Sequence, residues 1–284
     1  MNQKYLLAMC SLLLVSSSLF ASQISEQTVQ IPMQVKGFWG TKEVTLEATE
    51  FKPEGTGPFP LLLINHGSPR NPADRINLSG RYPAQSRAMA NEGFVVLNPV
   101  RRGYGKSTGP WAENYFSCSS PAYKEAGLET AKDIEAAIEY AKSKPYIDVS
   151  RIVLVGQSAG GFGVLALASQ NLPGVIGVVN FAGGRGSQNA DTVCNPERLY
   201  QTFAEFAATT KVPMLWFYAQ NDHYFGPAIA SRLHQAYKEK SVDVTFITPA
   251  PFGDDGHAFF SNGKNVEGWK TDVMLFIQKI GALR

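Results

Sequence analysis

The segment Gly156-Gln157-Ser158-Ala159-Gly160 sets a serine between two glycines, directly after the apolar run Ile152 to Val155 and ahead of Gly161-Phe162-Gly163-Val164-Leu165-Ala166-Leu167-Ala168. A serine on a tight turn between a buried strand and a buried helix needs small residues two positions away on each side, because the backbone folds back against both elements. The turn lifts the hydroxyl clear of the sheet and places it at a helix N-terminus, where free amides favour developing negative charge. The chemistry this suits is nucleophilic attack by Ser158. An ordinary Gly-rich turn could hold a serine by chance, but its placement between two buried elements favours the nucleophile.

A serine hydroxyl needs a base at neutral pH, and the chain has four histidines from which to choose. With a nucleophile on this kind of turn the partners follow in the chain order serine, acid, histidine, which excludes His66. His234 lies in a helical stretch, Pro227 to Lys240, and reads as structural. His223 immediately follows Asp222, so its side chain should diverge from that carboxylate. His257 sits in Gly253-Asp254-Asp255-Gly256-His257, a Gly-bracketed loop between the last strand and the last helix that can deliver an imidazole to the sheet edge. The acid must orient that imidazole and stabilise its protonated form. Asp222, at the end of the run that starts at Met214, is the expected residue; Asp254 and Asp255 stand too close to His257 in sequence and read as a solvated turn.

An oxyanion needs two backbone donors aimed at one point. The amide of Ala159, directly after the nucleophile, is one. The other is assigned to Ser68 in the loop Asn65-His66-Gly67-Ser68-Pro69, with Gly67 as the fallback, and His66 is read as a histidine that holds this loop in shape. Arg101-Arg102-Gly103-Tyr104-Gly105-Lys106-Ser107 invites a phosphate-loop reading, but that motif needs a glycine five positions before Gly105 and Val100 stands there. The arginines are expected to pair with carboxylates such as Asp133 or with carbonyls.

The elements that must position these residues are legible in the apolar pattern. Thr28 to Val35 and Glu43 to Phe51 read as an opening antiparallel pair. Leu61 to Asn65, Phe94 to Asn98, Ile152 to Val155, Val175 to Phe181, Met214 to Tyr218 and Val244 to Thr248 are continuous apolar runs of strand length, as in strands buried on both faces. Leu128, Ala131, Ile134, Ile138 and Ala141 recur at helical spacing, as do Val266, Trp269, Val273, Phe276 and Ile280. The alternation predicts an α/β fold with a largely parallel sheet and no domain boundary. The longest irregular stretches, Gly103 to Tyr123 and Gly183 to Lys211, each follow a strand, where sites and lids are commonly built.

With these residues in place the chain resembles the α/β-hydrolase superfamily, in the branch of dienelactone-hydrolase-like and prolyl-oligopeptidase-like serine hydrolases. The resemblance runs from Leu61 to the C-terminus through HGSP (His66 to Pro69), RRGYGKS (Arg101 to Ser107), GQSAGG (Gly156 to Gly161), the Asp222 segment and GDDGHAFF (Gly253 to Phe260). It implies a mostly parallel eight-strand-type sheet flanked by helices, with a lid insertion near residues 185–211. It further implies cleavage of a small-molecule carboxylic ester by Ser158, His257 and Asp222, with no metal and no organic cofactor. A peptidase or amidase using the same triad, and a non-catalytic binding protein on the same fold, are the alternatives. Dienelactone hydrolases themselves carry cysteine where Ser158 stands, so their substrate does not transfer. Oligopeptidases of the prolyl type carry a β-propeller for which this chain has no room.

The chain has 284 residues, 44% apolar and 18% charged, with a net charge of +2, too weak a balance to suggest a nucleic-acid groove. After Lys4, Tyr5 to Phe20 is apolar or small and uncharged, and Ala21 precedes a polar stretch. That pattern predicts a signal peptide over residues 1–21, export to a secreted or periplasmic location, and no stable membrane insertion after cleavage. A single domain over 22–284 remains; nothing in it specifies an oligomeric state. Cleavage removes Cys10 and leaves Cys118 and Cys194, which an oxidising compartment should join across the two long loops.

Overall fold

Runs of leucine, isoleucine and valine too apolar for either side to face water become the inner strands of one sheet. The computed structural model describes residues 24–283 except 38 and 39. In it, β1 (Ser25–Gly37) and β2 (Gly40–Lys52) form an antiparallel ribbon, followed by β3 (Phe59–Asn65), α1 (Pro83–Asn91), β4 (Val95–Pro99), α2 (Tyr123–Lys142), β5 (Ile147–Gln157) and α3 (Ala159–Ala168). Next come β6 (Val175–Phe181), the short strands β7 (Ser187–Asn189) and β8 (Thr192–Val193), α4 (Pro196–Ala207), β9 (Met214–Phe217), α5 (Pro227–Lys238), β10 (Val244–Ile247) and α6 (Glu267–Lys279). The eight-stranded sheet has the order β1-β2-β4-β3-β5-β6-β9-β10. From β4 to β10 all neighbours run parallel, and β2 joins β4 antiparallel.

Strand alternation divides the core into two layers. On β3 and β5, Leu61, Leu63, Ile152 and Leu154 face one side, where they meet Ile134 of α2, Phe162 of α3, Phe203 of α4 and Tyr237 of α5. Leu62, Ile64, Val153 and Val155 face the other side, against Met89 of α1 and Trp269, Val273 and Phe276 of α6. Every residue of α3 is buried. That explains its lack of any polar face: it is enclosed between the sheet and neighbouring helices.

One expectation changes. The stretch from Gly183 to Lys211, anticipated as irregular with a lid over 185–211, holds the β7–β8 hairpin and the regular helix α4. Leu199, Phe203 and Phe206 of α4 are buried in the core, so α4 belongs to the helical layer and only the hairpin overhangs the strand ends. The apolar spacing of Leu199, Phe203 and Phe206 was a helical signal that the surrounding polar residues obscured. The expected signal segment, residues 1–21, lies outside the described residues. Among the described residues no helix is long and apolar enough to cross a membrane.

Cys118 and Cys194 are bonded, with Cα atoms 4.8 Å apart and 76 residues of separation. Around the bond, Tyr123 Oη donates to Cys194 O, and Asn195 Nδ2 donates to Ser119 O at 3.0 Å. The loop after β4 is thus stapled to the hairpin region after β6. Closing so long a loop stabilises chiefly by restricting the unfolded chain, by about 4 kcal/mol. The double variant Cys118→Ser/Cys194→Ser should therefore unfold at lower denaturant concentration by an amount corresponding to roughly 2–5 kcal/mol; an unchanged midpoint would show that the loops hold together without the bond.

Candidate active site

The turn at Ser158 is built by steric exclusion. A Cβ at Gly156 would lie 2.4 Å from Gly160 O, and one at Gly160 would lie 2.2 Å from Asn65 O, so neither position admits a side chain. Ser158 itself has φ 55° and ψ −121°, a backbone conformation that non-glycine residues rarely adopt. It is held there by hydrogen bonds from Ser158 N to Phe181 O at 2.9 Å and from Gly184 N to Ser158 O at 3.1 Å. The side chain sits between two cavities of about 440 and 430 Å³, both lined also by Ser68, Pro69 and Tyr224. Volumes of this order suit small organic ligands.

His257 lines the second cavity with Ser158. Its Nδ1 lies 3.0 Å from Asp222 Oδ2, and Asp222 is buried, with Oδ1 accepting from the amides of Tyr224 at 2.7 Å and Phe225 at 2.8 Å. Burial pushes the Asp222 carboxyl upward, but His257 and the two amides outweigh it and hold the group below its ordinary range. The Tyr224 ring stacks on the imidazole with centroids 3.8 Å apart and planes at 12°. The structure thus brings Asp222, His257 and Ser158 to one edge of the sheet. Ser158 Oγ has no hydrogen-bond partner among the described residues; such contacts commonly tighten only when substrate is bound.

The Ala159 and Ser68 amides have no protein acceptor among the described residues and both residues line the first cavity. The Gly67 amide, by contrast, donates to Tyr82 Oη at 3.3 Å, which leaves Ser68 as the available donor of this loop. His66 has the role read from the sequence: Nδ1 donates to Gly67 O at 2.7 Å and Nε2 accepts from Arg101 N at 3.1 Å. Burial, then the Arg101 charge, lower its pKa well below the ordinary value, so it stays neutral. His223 turns away from the site to Asp191, 3.0 Å distant, and His234 stacks on Phe246.

Several residues escaped the sequence reading. Asp255 is no solvated turn: its Oδ1 accepts from His223 N at 3.0 Å and His257 N at 2.9 Å, tying the two loops that carry the acid and the base. Gln157 donates to His257 O and accepts from Tyr82 Oη, each at 2.7 Å, so the residue before Ser158 clamps the histidine loop. Arg102 bonds Asp133 as expected, but Arg101 pairs with buried Glu113, which also binds Arg185 at 2.7 Å. Trp111, Tyr115, Phe116, Tyr224 and Phe225 line the first cavity, whereas Phe203 and Phe206 are core. Only their three-dimensional neighbours distinguish these roles.

Burial opposes ionisation of Glu113, but Arg101 and Arg185 overcome it and drive its pKa far below the usual carboxylate range. A lowered folded-state pKa contributes stability that is fully present above the unfolded value and is lost as pH falls through the acidic range. Replacement by glutamine strands two buried cations, at a cost of about 3–5 kcal/mol. Denaturant titrations should show that Glu113→Gln loses most of this at pH 7 and that the gap to wild type narrows toward pH 3; a gap independent of pH would contradict the assignment.

The model of the Dienelactone hydrolase family matches residues 83–274. Dipeptidyl-peptidase 5 of Porphyromonas gingivalis is 31% identical over 113 residues, 40% of this chain, and the chain spans only 15% of that relative's length. In structure, acylaminoacyl peptidase from Pyrococcus horikoshii is similar with a TM-score of 0.65 at 16% identity, over 92% of this chain and 42% of that one. An esterase from Pyrococcus furiosus is similar with a TM-score of 0.60 at 15% identity, over 91% and 92%. These two likenesses carry the α/β-hydrolase fold. The family match extends from the start of α1 into α6, well over half the sequence, and the chain belongs to the dienelactone hydrolase family.

Proposed function

We propose that this protein is an exported serine hydrolase that cleaves carboxylic esters through an acyl-enzyme. The observation that carries the reading is the 3.0 Å contact between His257 Nδ1 and buried Asp222 Oδ2, at a cavity that also exposes Ser158. Ser158 Oγ attacks the ester carbonyl as its proton passes to His257 Nε2, and Asp222 stabilises the resulting imidazolium. The oxyanion accepts from the Ala159 and Ser68 amides, each contributing about 3 kcal/mol to the transition state. Collapse expels the alcohol, which takes the proton from His257. Water, deprotonated by the same base, then releases the acid and restores Ser158.

A groove on each side of Ser158 suits a substrate of two parts, acyl and alcohol. Among the described residues the first cavity is lined by Arg70, Arg75 and Arg185 and by no aspartate or glutamate. A free amino terminus would find no counter-charge there, so an amine-ended peptide would have to place that end toward Asp74 and Asp255 of the second cavity. Export is supported by the Cys118–Cys194 bond, since such bonds persist in oxidising compartments.

A fluorophosphonate probe should label wild type and leave Ser158→Ala unlabelled; a folded wild type that resists the probe would sink the enzyme reading. Ester turnover should fall on the order of 10⁴-fold in Asp222→Asn, and esters of varied acyl length should outpace aminoacyl-amide and peptide substrates. Faster amide turnover would move the protein to the peptidases. Sequencing of the protein recovered outside the cytoplasm should read from Ser22, whereas a retained Met1 would exclude signal cleavage.

A further inference from the structure

Tyr104 stands apart from the proposed reacting groups, yet its hydroxyl is wholly engaged within the protein. Tyr104 Oη lies 2.9 Å from Ser68 Oγ, 3.0 Å from Glu113 Oε2 and 3.0 Å from Trp111 Nε1. The phenol has a single proton. The indole nitrogen can only donate, and a carboxylate can only accept. Glu113, held ionised by Arg101 and Arg185, therefore accepts the hydrogen bond that the phenolic hydroxyl donates. The Ser68 hydroxyl is left to donate to Tyr104 Oη. The chain of donors runs one way, from Ser68 through Tyr104 to Glu113, and one buried charge sets its direction.

The same charge grips the loop at a second place. Arg101, paired with Glu113, donates from Nη1 to His66 O at 2.6 Å, and its amide donates to His66 Nε2 at 3.1 Å. Pro69 restricts Ser68 to extended conformations from the other side. A loop held at His66 and at the Ser68 side chain has little freedom to rotate the intervening peptide, and among the described residues the Ser68 amide is left without a protein acceptor beside Ser158.

We propose that Tyr104 and Glu113 are positioning residues for oxyanion binding: through the Ser68 hydroxyl they aim the Ser68 amide at the carbonyl oxygen of the bound ester. The inference rests on the serine hydrolase reading. Because misalignment of a donor matters more to the charged transition state than to the neutral substrate, its loss should appear in kcat rather than KM.

The test is a double-mutant cycle with Tyr104→Phe, Ser68→Ala and the combination, each breaking the same hydrogen bond. Readouts are hydrolysis of p-nitrophenyl acetate and the rate of inactivation by diethyl p-nitrophenyl phosphate, whose phosphoryl oxygen enters the oxyanion site. Each single variant should lower kcat and the inactivation rate about 5- to 10-fold, with KM changed less than about twofold. The combination should be no slower than the worse single variant. Unaltered kcat in folded variants, losses that multiply, or losses confined to KM would overturn the proposal. If Tyr104→Phe fails to fold, Ser68→Ala carries the test alone, since it removes one hydroxyl at the cavity wall. A wild type inert to both reagents would overturn the serine hydrolase reading and this inference with it, whereas an active wild type with indifferent variants refutes this inference only.

Discussion

Ser158 adopts a left-handed backbone, φ 55°, where β5 passes into α3, and the surrounding architecture is arranged to keep it there. For a residue with a Cβ such a conformation costs on the order of 1–3 kcal/mol, so it persists only where neighbours over-determine it. β6 and the chain beyond it supply hydrogen bonds from both directions along the turn. The end of β3 supplies close packing, against which Gly160 leaves no clearance. Accordingly β3, β5 and β6 are adjacent in the sheet, their residues here are buried, and α3 can carry no polar face. The turn sets Ser158 at the two cavities, and the amide of Ala159 that follows has no protein acceptor among the described residues.

A second constraint is electrostatic. Glu113, Arg101 and Arg185 are all buried, and removing Glu113 would leave two cations in a medium that cannot solvate them. A buried pair contributes little net stability by itself, but it enforces geometry strictly, because its hydrogen bonds must be satisfied together. The three charges come from the long loop after β4, from the end of β4 and from the segment after β6. Their meeting point lies behind the loop that bears Ser68. The disulfide ties the same two loops farther out. Covalent and ionic links therefore converge on the rim of one cleft.

The sheet was legible because its strands are buried on both sides and write themselves as uninterrupted apolar runs; Val175 to Phe181 is a strand from end to end. The Ser158 turn was legible because steric exclusion leaves glycine as a local signature. Asp222 and His257 could be nominated from chain order together with their places in loops after strand-like runs, although 35 residues separate them and only folding sets Nδ1 and Oδ2 3.0 Å apart. Other parts carried no local sign. Helix α4 was hidden because half its surface is polar. Asp255 resembled any acid in a Gly-rich turn, and its pairing with the amides of His223 and His257 depends on two loops meeting. Glu113 stood in a loop with nothing to mark it as buried.

What the amino-acid sequence determined by itself is what short-range sterics and hydrophobic periodicity encode: the α/β class, the strands, the serine turn and a small set of eligible partners. Tertiary structure alone decided that Glu113 meets Arg101 and Arg185, that the Gly67 amide is taken by Tyr82, and where the two cavities open beside Ser158. Those outcomes depend on burial, which makes an unpaired charge or donor costly, and burial at residues such as Glu113 and Tyr104 exists only after distant segments have packed together.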